Sequence, residues 1–507
     1  MFRLLLRLMV ALLACARPSA ASDVSAGVAD GVSWMHSFEY ERALAAFERA
    51  ERENRRDALA YWGQAMCYEQ LLWGNENVEE ARAILVRMRR NGALQAAGPR
   101  ERAWVGTLDV LFGAGDRPSR VAAYADAMAT LAGEYPDDPD AAAFHGLALL
   151  ATRARGLAGG GHSGHDAPQL VGSAEQPRAA AIFERILERH PRHPGALHYL
   201  IHTWDDPANA RKALDAARVY ATVVPESSHA RHMPAHVFVQ LGMWPEAIAS
   251  DEAAADAADA KVAKDGLPVT ATDFHPLSWL VYEYTQAGRF DDARRALARL
   301  REPAESTQDP RLLSMLATLR SRVAIEAQAW HELPGPGFVN YDELFAVGFS
   351  AARRGETPLA ERARIRLAEM AKSPRYAERR VILEIMALQV GAAIRLQGGD
   401  VDGALALLAD ATAAERALPS SIGPPPLIKP AQEQYAEALL QAGRSAEAAG
   451  QFGGALERAA NRRLSVMGLE QAQTTASGVQ GVPWPVYGGV LMVIVAILVA
   501  RRRLRPA

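Results

Sequence analysis

Hydrophobic positions in this chain follow a helical spacing of three and four residues and recur in sets. One set, Ala179, Phe183, Ile186 and Pro191, returns 34 residues later as Ala213, Ala217, Tyr220 and Pro225. Residues three and four apart lie on one face of a helix, and a period near 34 residues is typical of arrays of helix pairs. Small residues let neighbouring helices approach closely, and proline ends the second helix. The pattern predicts an all-α protein of repeated antiparallel helix pairs.

Further copies of the set extend this prediction along most of the chain. They are found at Ala43, Phe47 and Ala50, at 288–293, at 399–404, and at Gly443, Ala448, Phe452 and Ala455. With this spacing the chain resembles tetratricopeptide repeats over residues 25 to 465. The resemblance implies an α-solenoid whose concave groove binds a protein or peptide partner. In this family the first helix of each pair lines the groove through its second, fifth, ninth and twelfth positions.

The composition narrows the range of partners. The chain has 507 residues, of which 49% are hydrophobic, and a formal net charge of −3. This length can bury a large core, and the near balance of charge creates no strong field toward nucleic acid. We therefore expect no nucleic-acid partner. Of the two cysteines, only Cys67 would remain after removal of the N-terminal signal predicted below, so we expect no disulfide within the mature chain.

Two stripes of histidine carry the candidate chemistry. In the first stripe His198, His202 and Asp205 stand at i, i+4 and i+7, and in the second His229, His232 and His236 stand at i, i+3 and i+7. Each spacing places its side chains on one face of a helix. Neutral imidazole is a common ligand of divalent transition metals. The stripes predict a site for zinc, copper, nickel or iron.

The resemblance to tetratricopeptide repeats also implies where the stripes point. In the family register both stripes occupy groove positions of consecutive units, and the next unit adds His275 and Tyr282. Trp62 and Glu69 would face the groove further toward the N-terminus. Together these residues would form a ligand-binding groove with the metal ligands at its centre.

Within the metal site we expect the pair His198 and His202 to meet the pair His232 and His236, with Asp205 as ligand or supporting acceptor. Pro234 affects this arrangement because proline is favourable only in the first helical turn. Either the helix begins near His232, which leaves His229 on the preceding loop, or the helix is kinked at Pro234.

Three functions remain open at this point. The groove could bind a partner through the metal, it could act as a metal-dependent hydrolase, or it could be a metal-free interaction scaffold. For catalysis Asp205 or Glu226 would accept a proton from metal-bound water, but the chain has no HExxH motif. Without a metal, the histidines would hydrogen-bond across a polar groove or bind an acidic or phosphorylated ligand.

Both ends of the chain carry membrane-related signals. Arg3, Arg7 and the following apolar stretch predict a secretory signal over residues 1–21, with a lipoprotein signal at Cys15 as the alternative. Residues 484–500 are uncharged and precede a basic tail at 501–507, which predicts a single membrane span with a cytoplasmic tail. A cleaved sorting tag of the PEP-CTERM type is the alternative. The chain would then be anchored in the cell membrane with its bulk periplasmic or at the cell surface.

These signals divide the chain as follows. We expect a repeat region with the histidine-lined groove over 22–330, further repeats over 331–469, and a flexible linker over 470–483. The segments 34–43, 60–66, 198–202 and 229–244 are similar to those of a group of bacterial exported repeat proteins. Ser278 stands where that group carries a further histidine. The resemblance implies a fold and a grouping of histidines, and it implies no reaction.

Overall fold

The computed structural model describes residues 24–152, 173–333 and 338–476. The chain divides into two compact units, Met1–Thr152 and Arg153–Ala507. The described part contains 23 α-helices, three short 3-10 helices and a single pair of two-residue strands. The predicted all-α, tetratricopeptide-repeat-like fold is thereby confirmed. The boundary between the units falls inside the region 22–330 that the sequence suggested as one stretch.

The first unit contains eight helices and the strand pair. The helices are α1 (Ala26–His36), α2 (Tyr40–Glu53), α3 (Ala58–Met66), α4 (Val78–Arg90), α5 (Ala93–Ala96), α6 (Pro99–Leu111), α7 (Arg117–Glu134) and α8 (Pro139–Ala151). The strands β1 (Glu69–Gln70) and β2 (Asn75–Glu76) form a short antiparallel hairpin after α3.

The second unit contains the remaining described helices. They are α9 (Glu175–Arg189), α10 (Pro194–Thr203), α11 (Leu214–Tyr220), α12 (Ser228–Gln240), α13 (Trp244–Asp265), α14 (His275–Gln286), α15 (Phe290–Thr307), α16 (Pro310–Glu326), α17 (Tyr341–Arg353), α18 (Thr357–Lys372), α19 (Arg380–Gln397), α20 (Val401–Ala417), α21 (Ala431–Gln441), α22 (Ser445–Arg458) and α23 (Arg463–Ala476). The 3-10 helices are Ala210–Ala213, Val269–Ala271 and Pro374–Arg379. The helix α23 continues into the stretch 470–483 that the sequence suggested as a linker.

Small residues allow the helices of each pair to pack closely, as the repeated pattern predicts. In the first unit the buried Phe47 ring of α2 packs against Gly31 of α1 and Gly63 of α3. A Cβ atom on Gly63 would lie 2.2 Å from that ring. In the second unit Ala179, Phe183, Ala213, Ala217 and Tyr220 are all buried. The residues that define the repeat are therefore the packing residues between helices.

In the second unit the turn between α22 and α23 packs against the helices α12 to α14. The indole Nε1 of Trp244 donates to the carbonyl of Asn461 at 3.0 Å, and Asn461 Nδ2 donates to the carbonyl of Gly242 at 3.3 Å. The backbone N–H of Arg463 donates to Gln286 Oε1 at 3.0 Å. The turn between α22 and α23 thus covers the ends of α12 and α14.

The same turn buries an ionic network. Arg462 is fully buried and contacts Glu326 at 2.7 Å and Glu433 at 2.8 Å. Lys429 joins Glu433 at 2.9 Å. A buried charge is tolerated only when its partners compensate for lost hydration. The network therefore joins α16, α21 and the start of α23 into one packed region.

No helix within the described ranges is both long and apolar enough to cross a bilayer. The predicted signal at 1–21 and the predicted span at 484–500 lie outside the described residues. The predicted membrane location therefore stays a prediction.

Candidate metal centre

Six histidines come together in the second unit on three helices, α10, α12 and α14. The Nδ1 atom of His193 caps α10 by accepting from the N–H of Ala196 at 3.2 Å. Ser227 Oγ caps α12 by accepting from the N–H of Ala230 at 3.0 Å. Such caps fix where each helix begins, and they therefore fix the turn on which each imidazole stands.

The first triad consists of His198, His202 and His229. The Nε2 atom of His198 lies 3.1 Å from Nε2 of His202 and 3.0 Å from Nε2 of His229. A ring nitrogen carries one hydrogen or one lone pair, directed in the ring plane, so it makes one well-aligned hydrogen bond. His198 Nε2 contacts two other imidazole nitrogens, which is one more than a single hydrogen bond can account for. The convergence of three Nε2 atoms is the arrangement that a shared cation would produce.

The spacing in the first triad agrees with metal ligation. Ligand nitrogens at about 2.0–2.1 Å from a tetrahedral zinc ion lie roughly 3.3 Å apart. Tyr220 stacks under His198, with ring centroids 5.0 Å apart and planes at 12°. His198 and His202 are buried and His229 is partly buried. Tyr220 belongs to α11, so this helix supports the His198 ring, and burial restricts the motion of the triad.

The second triad consists of His232, His236 and His275. The Nδ1 atom of His232 lies 2.6 Å from Asp251 Oδ1, and Nδ1 of His236 lies 2.5 Å from Asp205 Oδ2. A carboxylate on one ring nitrogen orients the imidazole and leaves the other nitrogen for a metal. His236 is 1% exposed, and its Nε2 has no hydrogen-bond partner within the described part of the chain.

Aromatic contacts join the two triads. The Trp279 ring centroid lies 4.8 Å from that of His232 and 4.5 Å from that of His236. Between the triads the rings of His202 and His236 are 6.2 Å apart. The six imidazoles thus form a continuous row across α10, α12 and α14.

The loop between α20 and α21 covers this row. Gln240 Nε2 donates to the carbonyl of Ser421 at 2.7 Å and contacts Asp205 Oδ1 at 3.3 Å. Gly423 lies against Trp279, since a Cβ atom there would be 2.2 Å from the indole. This loop packs beside the row, in which four of the six imidazoles are buried and those of His229 and His275 are partly buried. The contact arises because a distant part of the chain folds back on the repeats.

Two carboxyl groups behind His232 share a buried environment. Burial raises the pKa of Glu283 to about 8, and a hydrogen bond with Asp251 partly offsets this effect. Burial, together with the neighbouring Glu283, also raises the pKa of Asp251 well above its ordinary value.

The grouping of the histidines differs from the predicted pairing. We expected His198 and His202 to meet His232 and His236, but the close contacts join His198 and His202 to His229, and His232 and His236 to His275. Helix α12 begins at Ser228, so His229 is helical and Pro234 lies inside the helix. An interior proline removes one N–H hydrogen bond and its ring crowds the carbonyl four residues earlier, yet the helix continues through Pro234 to Gln240. Asp205 lies beside His236 as an orienting acceptor.

The remaining predicted groove residues lie elsewhere. Tyr282 is buried on α14 near Trp244 and Arg322, and burial raises its pKa to about 12. In the first unit Trp62 packs against Phe47, Trp104 and Phe144 as a core residue. Glu69 is buried there beside Arg117, and burial raises its pKa to about 7. Packing of large side chains, rather than an open groove, accounts for the positions of Trp62 and Tyr282.

Four residues at the centre were missed by sequence reasoning: Trp279, Asp251, Gln240 and Glu283. Asp251 belongs to α13, the second helix of its pair, which the family register does not place in the groove. Gln240 does lie within 229–244, the segment that carries the second histidine stripe. The spacing of the histidines gives no signal for Asp251, because its contact with His232 depends on how α12 and α13 pack.

Comparisons with known proteins bear on the fold alone. No protein-family model and no curated protein matches the sequence. Among solved structures, the TPR domain of P58(IPK) is 15% identical and covers 89% of this chain and 98% of that chain, with a TM-score of 0.23. Yeast Tom70 is 11% identical and covers 90% of each chain, with a TM-score of 0.32. The human IFIT1 dimer with m7Gppp-AAAA is 15% identical and covers 88% and 95%, with a TM-score of 0.36.

Because these TM-scores are all below 0.5, the similarity supports no argument about partners or activity. The helix pairs of the chain itself define its class. It is an all-α protein with a tetratricopeptide-repeat-like fold whose second unit contains a row of histidines.

Proposed function

We propose that the second unit binds a divalent transition metal through His198, His202 and His229. The observation that carries this proposal is the contact of His198 Nε2 with two other imidazole nitrogens at 3.0 and 3.1 Å. Hydrogen bonding accounts for one such contact and a bound cation accounts for both. The ligands differ from the predicted pairing, and the class of site is the one that the stripes predicted.

The ligand type limits the metal. Magnesium and calcium prefer oxygen ligands, whereas neutral imidazole suits zinc, copper, nickel and iron. Three imidazoles leave one position of a tetrahedral ion for a further ligand. His229 is partly buried rather than fully enclosed, so this side of the triad provides the approach. A side chain or a small anion from a protein or peptide partner would occupy the remaining position.

A binding role is better supported than catalysis. Asp205, one candidate base, is engaged by His236 and Gln240. Glu226, the other candidate, is exposed in the turn before α12. A metal-dependent hydrolase would therefore depend on Glu226 as the base, because Asp205 is already engaged. The metal-free scaffold remains the alternative that the experiment below tests.

The proposed cellular setting rests on the sequence. We place the chain outside the cytoplasm, exported by residues 1–21 and anchored by residues 484–500, because a basic cluster follows the apolar stretch. In that compartment the repeats would present the metal site to a partner at the membrane.

The test uses the full-length protein, stripped with a chelator and titrated with Co²⁺. Absorption in the visible region should show tetrahedral nitrogen ligation, and His202→Ala should lower both its amplitude and the metal content. The matched control is His190→Ala, which removes an exposed histidine at the end of α9. Absence of bound metal in the native protein and after reconstitution would overturn the proposal and favour the metal-free scaffold.

A further inference from the structure

We infer that His232, His236 and His275 bind a second transition-metal ion, with its own ligands, beside the first. This inference rests on the proposed function, because it extends metal binding from one triad to its neighbour. The second ion would be a divalent transition metal that is coordinated by imidazole nitrogen.

The orientation of two rings carries the first step. Nδ1 of His232 and Nδ1 of His236 each face a carboxylate oxygen, at 2.6 and 2.5 Å. A carboxyl oxygen that accepts a hydrogen bond from Nδ1 places the ring hydrogen on that nitrogen and leaves the lone pair on Nε2. Both rings are thereby set in the tautomer that ligates a metal through Nε2.

The second step is the environment of His236. This side chain is buried, and its Nε2 has no hydrogen-bond partner among the described residues. A buried polar atom without a partner costs free energy, and such atoms in native proteins usually indicate a missing ligand or water. The neighbouring rings of His232 and His275, with centroids 4.7 Å apart, provide two more nitrogens at the same place.

The two carboxyl groups provide the third step. Asp205 and Asp251 are buried against the outer nitrogens of the second triad. Carboxyl groups in this position fix the orientation of histidine ligands and make their inner nitrogens better donors to a metal.

The ligand atoms of the two triads form separate groups. Within each triad the facing atoms lie within 4.8 Å of one another, and no histidine belongs to both groups. The rings of His202 and His236 stand between the two groups with centroids 6.2 Å apart. This separation favours two ions in adjacent sites over one ion shared by six ligands.

Metal counting on the full-length protein tests the inference. Protein stripped of metal is reconstituted with Zn²⁺, freed of excess ion, and analysed for zinc per chain. We expect two zinc ions per chain for the wild type and for His190→Ala. We expect one ion for His229→Ala and one for His275→Ala. The variant that combines His229→Ala with His275→Ala should bind none. His275→Gln, which keeps a polar side chain of similar length, is the second variant if His275→Ala does not fold.

The outcomes separate the two proposals. A single ion that survives His275→Ala and disappears in His229→Ala would overturn the second site and leave the proposed function intact. A single ion lost in either variant would also overturn it, because one ion would then be shared by both triads. No ion in any variant or in the wild type would overturn both proposals.

Discussion

The two triads use the same ligand type but are organised differently. In the first triad three Nε2 atoms converge directly, and Tyr220 stacks under His198. In the second triad Asp205 and Asp251 orient the rings through Nδ1. The comparison shows that a chain can prepare imidazoles for a metal either by packing them together or by hydrogen bonding their outer nitrogens. The two arrangements should respond to different substitutions.

The largest effect should come from a change that acts on both triads. Arg462→Ala removes the cation that compensates Glu326 and Glu433 in the packed interior. Loss of one partner of a buried ionic network typically costs about 3–5 kcal/mol. We expect chemical unfolding of the metal-free protein to show this loss, with both triads weakened together.

Arg444→Ala is the control for that experiment, because its ion pair with Glu447 is solvent-exposed and contributes little. Similar unfolding curves for the two variants would show that the network around Arg462 does not support the unit that holds the triads.

An intermediate effect should separate the triads. Asp251→Asn preserves shape but replaces the carboxyl group that faces His232 with an amide, and loss of such a partner typically lowers metal affinity about 10–100-fold. We expect this loss in the second triad, measured by competition with a chelator in the His202→Ala background. In the His275→Gln background, where the first triad remains, the affinity should not change.

Asp256→Asn provides the matched control, since Asp256 is an exposed carboxylate on the same helix α13. An equal loss at both triads after Asp251→Asn would contradict the assignment of Asp251 to the second triad alone.

The smallest effect should come from the aromatic support of the first triad. Tyr220→Leu removes the ring stacked on His198, and an aromatic pair contributes about 0.5–1.5 kcal/mol. We expect metal affinity of the first triad to fall by no more than about tenfold, measured by Co²⁺ titration in the His275→Gln background. Tyr220→Phe keeps the ring and should bind as before. If Tyr220→Leu weakens only the second triad, the stack does not support the first.

The fold was predictable because its signals are local. Ala179, Phe183 and Ile186 lie within two turns of one helix, so their spacing alone indicates the packing face. The two histidine stripes are local for the same reason. Their identification required no knowledge of which helices are neighbours.

The grouping of the histidines was not predictable in this way. His229 and His236 lie on the same helix, yet one contacts His198 of α10 and the other joins His275 of α14. The angle at which two helices cross decides which neighbouring helix each turn faces. The spacing of residues along one helix does not reveal that angle. The packing of the loop between α20 and α21 beside the histidines was even harder to predict from the sequence. Its contact joins Gln240 and Ser421, which are 181 residues apart.

X-ray absorption on zinc-loaded His275→Gln protein tests the central claim most directly, because only the first triad then remains complete. The account predicts three imidazole nitrogens at about 2.0–2.1 Å from zinc, and loss of this signal when His202→Ala is added. A shell of oxygen ligands, or an unchanged spectrum in the double variant, would contradict the claim that His198, His202 and His229 share a metal ion.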